Sequence, residues 1–120
     1  MSRKIFIIDD SKTSLLLFES IFEDTDIEVQ SETDSKAALK TISEIKPDLI
    51  VMDIMMPEID GFQLLKTLKE DTVQKDIPVV IISAIHDKRT IRQAIDNGAV
   101  AYIKKPMNVN EVIKVINQLL

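Results

Sequence analysis

The chain has 120 residues, 45% apolar and 29% charged, with a net charge of −5, no cysteine and one histidine. That length supports one domain with a single core. The missing thiols exclude a disulfide framework and thiolate chemistry, and His86 alone excludes a multi-histidine metal site. An acidic chain lacks the basic face that direct nucleic-acid binding requires. No apolar run approaches the ~20 residues that cross a membrane, and the four apolar residues before Asp9 are too few for a signal peptide. A cytoplasmic protein is the expectation.

Apolar runs rich in Ile and Val alternate with amphipathic stretches of helical length, which argues for βα units. In chain order, strands are expected at about 4–8, 27–31, 49–53, 79–83 and 100–103, and helices at about 12–24, 35–46, 61–70, 88–97 and 109–120. The third and fourth strands are near-continuous hydrophobic runs, as in strands buried on both faces; residues 27–31 alternate more, which places that strand at an edge. In the first helix Leu15, Leu16, Leu17 and Phe18 are consecutive, and at ~100° per residue they cannot all face a sheet. Leu17, Phe18, Ile21 and Phe22 are expected on the buried side. Leu16 falls among Lys12, Glu19 and Glu23 and is expected to be exposed, either as an isolated surface leucine or as a docking contact for a partner helix.

Asp34 or Ser35 is placed to cap the second helix, and Pro47 prevents its continuation. The fourth helix carries an Ile91, Ala94, Ile95 stripe, and Gly98 is placed to close it in a left-handed conformation. Asn108 is placed to cap the fifth, whose stripe is Val109, Val112, Ile113, Ile116 and Leu120. A modest basic group, Lys88, Arg89, Arg92, Lys104 and Lys105, reads as solvated helix and loop charge or as a partner surface.

Four of the five strands end in chemistry-bearing residues: Asp9 and Asp10, Asp53, Ser83, then Lys104 and Lys105. In a parallel sheet these ends share one edge, where ligands bind. Three carboxylates brought that close repel one another unless a cation compensates. Mg²⁺ suits them, since it takes oxygen ligands and keeps waters and a phosphate oxygen. Ser83 can donate to a phosphoryl oxygen, and Lys105 can neutralise a carboxylate or a phosphoryl oxygen as a point charge. Pro106 permits a cis peptide that would aim Lys105 inward.

With these residues in register, the chain resembles a response-regulator receiver domain of the CheY-like kind over residues 1–120. The resemblance is carried by Ile8-Asp9-Asp10-Ser11, by Asp53-Ile54-Met55-Met56-Pro57-Glu58-Ile59-Asp60-Gly61, by Ile82-Ser83-Ala84 and by Tyr102-Ile103-Lys104-Lys105-Pro106. It implies an α/β, doubly wound five-stranded parallel sheet in the flavodoxin-like order 2-1-3-4-5. It implies that Asp53 accepts a phosphoryl group from a phosphohistidine on a sensor histidine kinase or histidine phosphotransfer protein. Mg²⁺ would be held by Asp10, Asp53 and the Met55 carbonyl, with Asp9 acting mainly through a metal-bound water. Ser83 would take the switch-hydroxyl position, Lys105 the lysine position and Tyr102 the switch aromatic, swinging inward when Ser83 moves. The altered surface would lie on the fourth helix, fifth strand and fifth helix and act on a downstream protein or fused output domain. Such a domain is a signalling switch rather than an enzyme, catalysing only its own phosphorylation and autodephosphorylation.

Several departures from the family pattern matter. Met55, two residues after Asp53, and Ile85, two after Ser83, cannot orient water by hydrogen bonding, so slow autodephosphorylation is expected. Ala99, Val100 and Ala101 stand where OmpR-like receivers usually carry an acidic pair, which argues against that charge-laced dimer. The chain ends right after the fifth helix, which fits a single-domain regulator or a piece of a longer protein. Three other readings compete. A phosphatase would place an acid where Met55 stands; a flavin carrier would need more glycine and stacking aromatics; a degenerate receiver would lack filled chemical positions.

Overall fold

The computed structural model describes residues 3–55, 60–72 and 74–120, without the side chain of Ser35. Within those residues the order is β1 (Arg3–Ile8), α1 (Lys12–Ile21), β2 (Ile27–Glu32), a 3-10 turn (Ser35–Ala37), α2 (Ala38–Ile45), β3 (Leu49–Met52), α3 (Gly61–Glu70), β4 (Val79–Ser83), α4 (Lys88–Asp96), β5 (Ala101–Lys104) and α5 (Val109–Leu119). The strands form one parallel sheet in the order β2-β1-β3-β4-β5. The expected winding and the edge position of β2 therefore hold.

Side chains alternate across a strand, and the sheet separates two cores accordingly. Phe6, Ile8, Ile50, Met52, Val79 and Ile81 pack beneath α2, α3 and α4 with Leu64, Leu65 and Ala94. Ile5, Ile7, Val51, Val80, Ile82 and Ile103 face α1 and α5, meeting Phe18, Val112 and Ile116. Every residue of β3 and β4 is buried, as their unbroken apolar runs anticipated.

Helix α1 corrects the expected face. Leu15, Phe18 and Phe22 are buried, an i, i+3, i+7 stripe, and Leu17 is 37% exposed rather than part of the core. Leu16 is 66% exposed, as expected. The helix also stops at Ile21, short of residue 24. The Thr25 hydroxyl donates to the Phe22 carbonyl at 2.7 Å and accepts from Ile27 N at 3.2 Å, so the chain turns directly into β2. Helix α2 starts later than expected because residues 35–37 form a tighter turn, in which Asp34 Oδ1 accepts from Lys36 N at 2.9 Å. The residue before α2 is Ala37, which makes no side-chain cap. The alternative cap, the Ser35 side chain, lies outside the described residues. Lys46 closes α2 in a left-handed conformation (φ 48°), a turn forced where the following Pro47 disfavours helix.

In α4 only Ala94 is buried; Ile91 is half-buried and Ile95 is 44% exposed, so its expected stripe is only partly covered. Gly98 follows with φ 109°. Val100 precedes β5 instead of starting it and is 48% exposed. In α5, Val112 and Ile116 are buried and Val109 is 43% exposed. Asn108 Oδ1 caps that helix, accepting from Glu111 N at 3.1 Å. Among the described residues no helix is long and apolar enough to cross a membrane.

Candidate functional site

Strand register brings the expected residues together. The pairing of β1 with β3 sets Ile8 beside Met52, so Asp9 and Asp53 emerge side by side, and Asp53 N donates to the Ile8 carbonyl at 3.1 Å. The pairing of β4 with β5 sets Ser83 beside Lys104, and Lys105 N donates to the Ser83 carbonyl at 2.9 Å. The Lys105–Pro106 bond is cis. Asp10 sits at the open rim, exposed, while Asp9 and Asp53 are buried.

A buried carboxylate needs partners for its charge. Asp9 Oδ1 accepts from Ser11 N at 2.9 Å, and Asp53 Oδ1 accepts from Met55 N at 2.9 Å. Their Oδ2 atoms share one cation: the Lys105 ammonium donates to both at 2.8 Å. Burial alone would lower the Lys105 pKa, but its hydrogen bonds to Asp53 and Asp9, with the charge of both, hold it above the usual lysine value. Ligand oxygens of Asp9, Asp10 and Asp53 lie within 4.8 Å of one another. The set is all hard oxygen, partly buried and partly open to water, and each carboxylate oxygen keeps a second lone pair. That fits Mg²⁺, which takes a few carboxylates and retains waters, better than any softer metal.

Ser83 is fully buried, and its Oγ accepts from Ile85 N at 3.2 Å. Tyr102 is half-buried on β5, and its hydroxyl donates to the Ile85 carbonyl. Burial raises the Tyr102 pKa; the Ser83 hydroxyl opposes the rise, and the carboxylates of Asp53 and Asp87 add to it. Ser83, Ile85 and Tyr102 therefore form one linked group on the β4–α4 side. Met55 is 56% exposed beside Asp53, Ile85 is half-buried, and Lys104 and His86 are exposed.

Ile54 and Met55, just after Asp53, lie close against Asp60 and Gly61. A Cβ on Gly61 would stand 2.3 Å from Ile54 Cα, so only glycine fits there. Met55 and Asp60 form an antiparallel bridge, and Asp60 Oδ1 caps α3 by accepting from Phe62 N at 2.9 Å. The middle of that motif, Met56-Pro57-Glu58-Ile59, lies outside the described residues.

Two contributors escaped the sequence reading. Ser11 both orients Asp9 through its N–H and caps α1, its hydroxyl accepting from Ser14 N at 3.3 Å; a serine just before an amphipathic run is a cap signal. The Ile85 carbonyl that receives Tyr102 is a backbone group, and no side-chain pattern announces it.

Leu16 stands away from this cluster, on the outer flank of α1. It lines two grooves between α1 and the β2 side of the sheet.

Comparison with known proteins agrees with the fold. Residues 5–117 match the response regulator receiver domain. The polar-differentiation response regulator DivK of Brucella anthropi is 34% identical over 123 residues, covering 100% of this chain and 98% of DivK. The response regulator PleD of Caulobacter vibrioides is 33% identical over 90% of this chain, which corresponds to only 24% of PleD. The receiver domain of a Francisella response regulator superposes with a TM-score of 0.89 at 32% identity, over 98% of this chain and 95% of that one. The chain belongs to the response regulator receiver domain family of two-component signalling.

Proposed function

We propose that Asp53 is the phospho-acceptor of this receiver. One observation carries the reading: Asp53 is a buried carboxylate at the end of β3, with Lys105 at 2.8 Å and two further carboxylates within metal-ligand distance. An Asp53 oxygen attacks phosphorus, the bond from phosphorus to the donor's histidine nitrogen breaks, and the imidazole keeps that electron pair. The donor is a sensor histidine kinase or histidine phosphotransfer protein. Phosphoryl transfer asks the protein mainly for positioning and charge stabilisation. Asp9, Asp10 and Asp53, with the Met55 carbonyl, would hold Mg²⁺, which when bound offsets the negative charge gathered there. The Met55 N–H fixes the Asp53 carboxylate, and Lys105 exchanges one of its carboxylate partners for a phosphoryl oxygen.

Ser83 then donates its hydroxyl hydrogen to the phosphoryl group. Because Ser83 is bonded to Ile85 N and Tyr102 to the Ile85 carbonyl, its movement pulls on the β4–α4 loop and the aromatic ring together. That biases a two-state equilibrium of the α4–β5–α5 surface, which acts on a downstream protein or a fused output domain. Leu16 is the docking contact for the phosphodonor.

Incubation with a small-molecule phosphodonor and Mg²⁺ tests the assignment. Intact mass should rise by one phosphoryl group, and Asp53→Ala should abolish the gain. A phosphorylated Asp53→Ala protein would reject Asp53 as acceptor, and turnover of an external phosphate ester would indicate a phosphatase instead.

A further inference from the structure

The end of the sheet opposite the carboxylates holds a cavity that the proposed phosphorylation does not use. It measures about 340 Å³ and lies between the C-terminal end of α2 and the chain that follows α3. Ile42 and Pro47 are buried on one wall; buried Gln74 and half-buried Ile77 form the other. Ser43, Lys46 and Asp71 stand at its exposed rim. Pro47 and Ile77 come just before the starts of β3 and β4, at Leu49 and Val79, whereas Asp53 follows the end of β3.

Gln74 gives the cavity its chemistry. The residue is 4% exposed, and its Nε2 donates to Ser43 Oγ on α2 at 2.6 Å. The Ser43 hydroxyl gives its own hydrogen to the Leu39 carbonyl at 3.1 Å, so towards Gln74 it only accepts. That network fixes which end of the amide faces the serine. The other end, Oε1, is buried with no hydrogen-bond partner among the described residues. A buried acceptor left unpaired is costly.

The wall that carries Gln74 is held in place. Gln74 N donates to Asp71 Oδ1 at 3.1 Å, Lys75 N to the Asp71 carbonyl at 2.9 Å and Ile77 N to the Gln74 carbonyl at 3.1 Å. The Lys69 ammonium donates to the Lys75 and Ile77 carbonyls at 3.1 and 2.8 Å. Ligand sites are largely preformed, mostly apolar and furnished with a few polar groups, and this cavity has each of those features.

We infer that the cavity binds a small uncharged molecule of one or two fused rings that carries an N–H or O–H donor for Gln74 Oε1. Its volume lies at the low end of ligand sites, about 300–1,000 Å³, which sets the size. Ile42, Pro47 and Ile77 favour an apolar body. The unpaired acceptor calls for a donor, and the opposite charges of Lys46 and Asp71 at the rim select no net charge. Oε1 is closed to solvent; a small swing of the amide about its bond to Ser43 turns it to the cavity, an adjustment common on binding. A single bound water is the plain alternative. A water takes up roughly 30 Å³ and needs two to four polar partners; this volume is far larger, and three of the four wall residues are apolar.

Indole is the probe, titrated into ¹⁵N-labelled protein saturated with Mg²⁺. Saturable shift changes should concentrate at residues 42–46 and 71–77. Benzofuran, the same two fused rings without the N–H, should bind about fivefold or more weakly, the worth of one net hydrogen bond. Gln74→Met keeps the length of the side chain and removes its amide, so there the two rings should bind alike. The comparison of the rings on wild-type protein needs no variant, so the test survives a poorly folded Gln74→Met. No saturable change at these residues would overturn the inference, as would a preference for indole that persists in Gln74→Met. Equal affinity of the two rings for the wild type would overturn it too, since water would then already serve Oε1. The cavity and Asp53 lie at opposite ends of β3, so failure here leaves the Asp53 assignment standing.

Discussion

Helix α1 buries Leu15 and Phe18, with Phe22 buried at its C-cap, whereas α4, one residue shorter, buries only Ala94. The Phe18 and Phe22 rings also meet each other, with centroids 5.2 Å apart at 49°. Each fully buried aromatic removes roughly 150–250 Å² from water, while Ala94 removes a single methyl. Helix α1 is thus anchored, and α4 rests lightly on the sheet with Ile95 and neighbouring Val100 open to solvent. The two helices flank the same carboxylate edge from opposite faces. A rigid flank suits a surface that must hold a partner in register, and a weakly held one suits a surface that must move when the site changes.

The largest test strikes the anchor. Phe18→Ala should cost about 3–5 kcal/mol, the usual penalty for emptying a buried aromatic site, read as a lower denaturation midpoint in urea. A loss under about 1 kcal/mol would mean that α1 is no better held than α4, and the contrast would fail.

Lys105 joins the two flanks, reaching from the end of β5 beside α4 to Asp9 and Asp53 beyond β1 and β3. Its pKa is raised above the ordinary 10.5 because its hydrogen bonds to Asp53 and Asp9 outweigh desolvation. A group whose folded pKa is raised contributes stability that is complete below the unfolded value and lost as pH climbs through the folded one. Stability should therefore decline above about pH 10.5. Tyr102, raised above 10.0 chiefly by burial, titrates nearby with the same sign, so the lysine's share is best read in a Tyr102→Phe background. Adding Lys105→Met there should lower stability at neutral pH by roughly 1–3 kcal/mol, because two buried carboxylates lose their donor. It should also flatten the alkaline decline. An unchanged alkaline limb would show that the ammonium does not hold the edge together.

The contrast between the helices was only half legible in the sequence. The edge position of β2 and the gathering of Asp9, Asp10, Asp53, Ser83 and Lys105 follow from apolar runs and the residues that end them, because a parallel sheet leaves those ends little freedom; the strand order followed only from the resemblance to receiver domains. The exposure of Leu16 was readable from its charged neighbours. The burial of Leu15 in place of Leu17 was not: with four apolar residues in a row, the phase of the stripe depends on how the helix is rotated against β1. The thin anchoring of α4 was hidden for a related reason, since Ile91, Ala94 and Ile95 have the right spacing for a core face and only the tertiary placement leaves Ile95 uncovered. Helix ends depended on local hydrogen bonds, such as that from Thr25 to the Phe22 carbonyl.

A smaller effect concerns how long a phosphoryl group on the proposed acceptor Asp53 persists. Met55 and Ile85 flank Asp53 and Ser83 with apolar side chains that cannot hold a water for attack. Met55→Asn and Ile85→Glu should each shorten the phosphorylated lifetime by about threefold or more, as expected when a polar group can orient water; decay followed by intact mass provides the measurement. Equal lifetimes in the three proteins would remove these positions from the control of hydrolysis.

The smallest expected change in stability is also the most direct probe of the light flank. Ile95→Ser replaces a side chain already 44% exposed, so stability should move by no more than about 0.5 kcal/mol. Its effect should appear in motion instead. If α4 shifts between two positions that cover Ile95 to different extents, the mutation alters their relative populations. Relaxation dispersion on α4 and β5, with and without phosphodonor, should report changed exchange there while α1 stays silent. Exchange of equal size in α1 would mean that the whole domain breathes and that the two helices differ in packing but not in freedom.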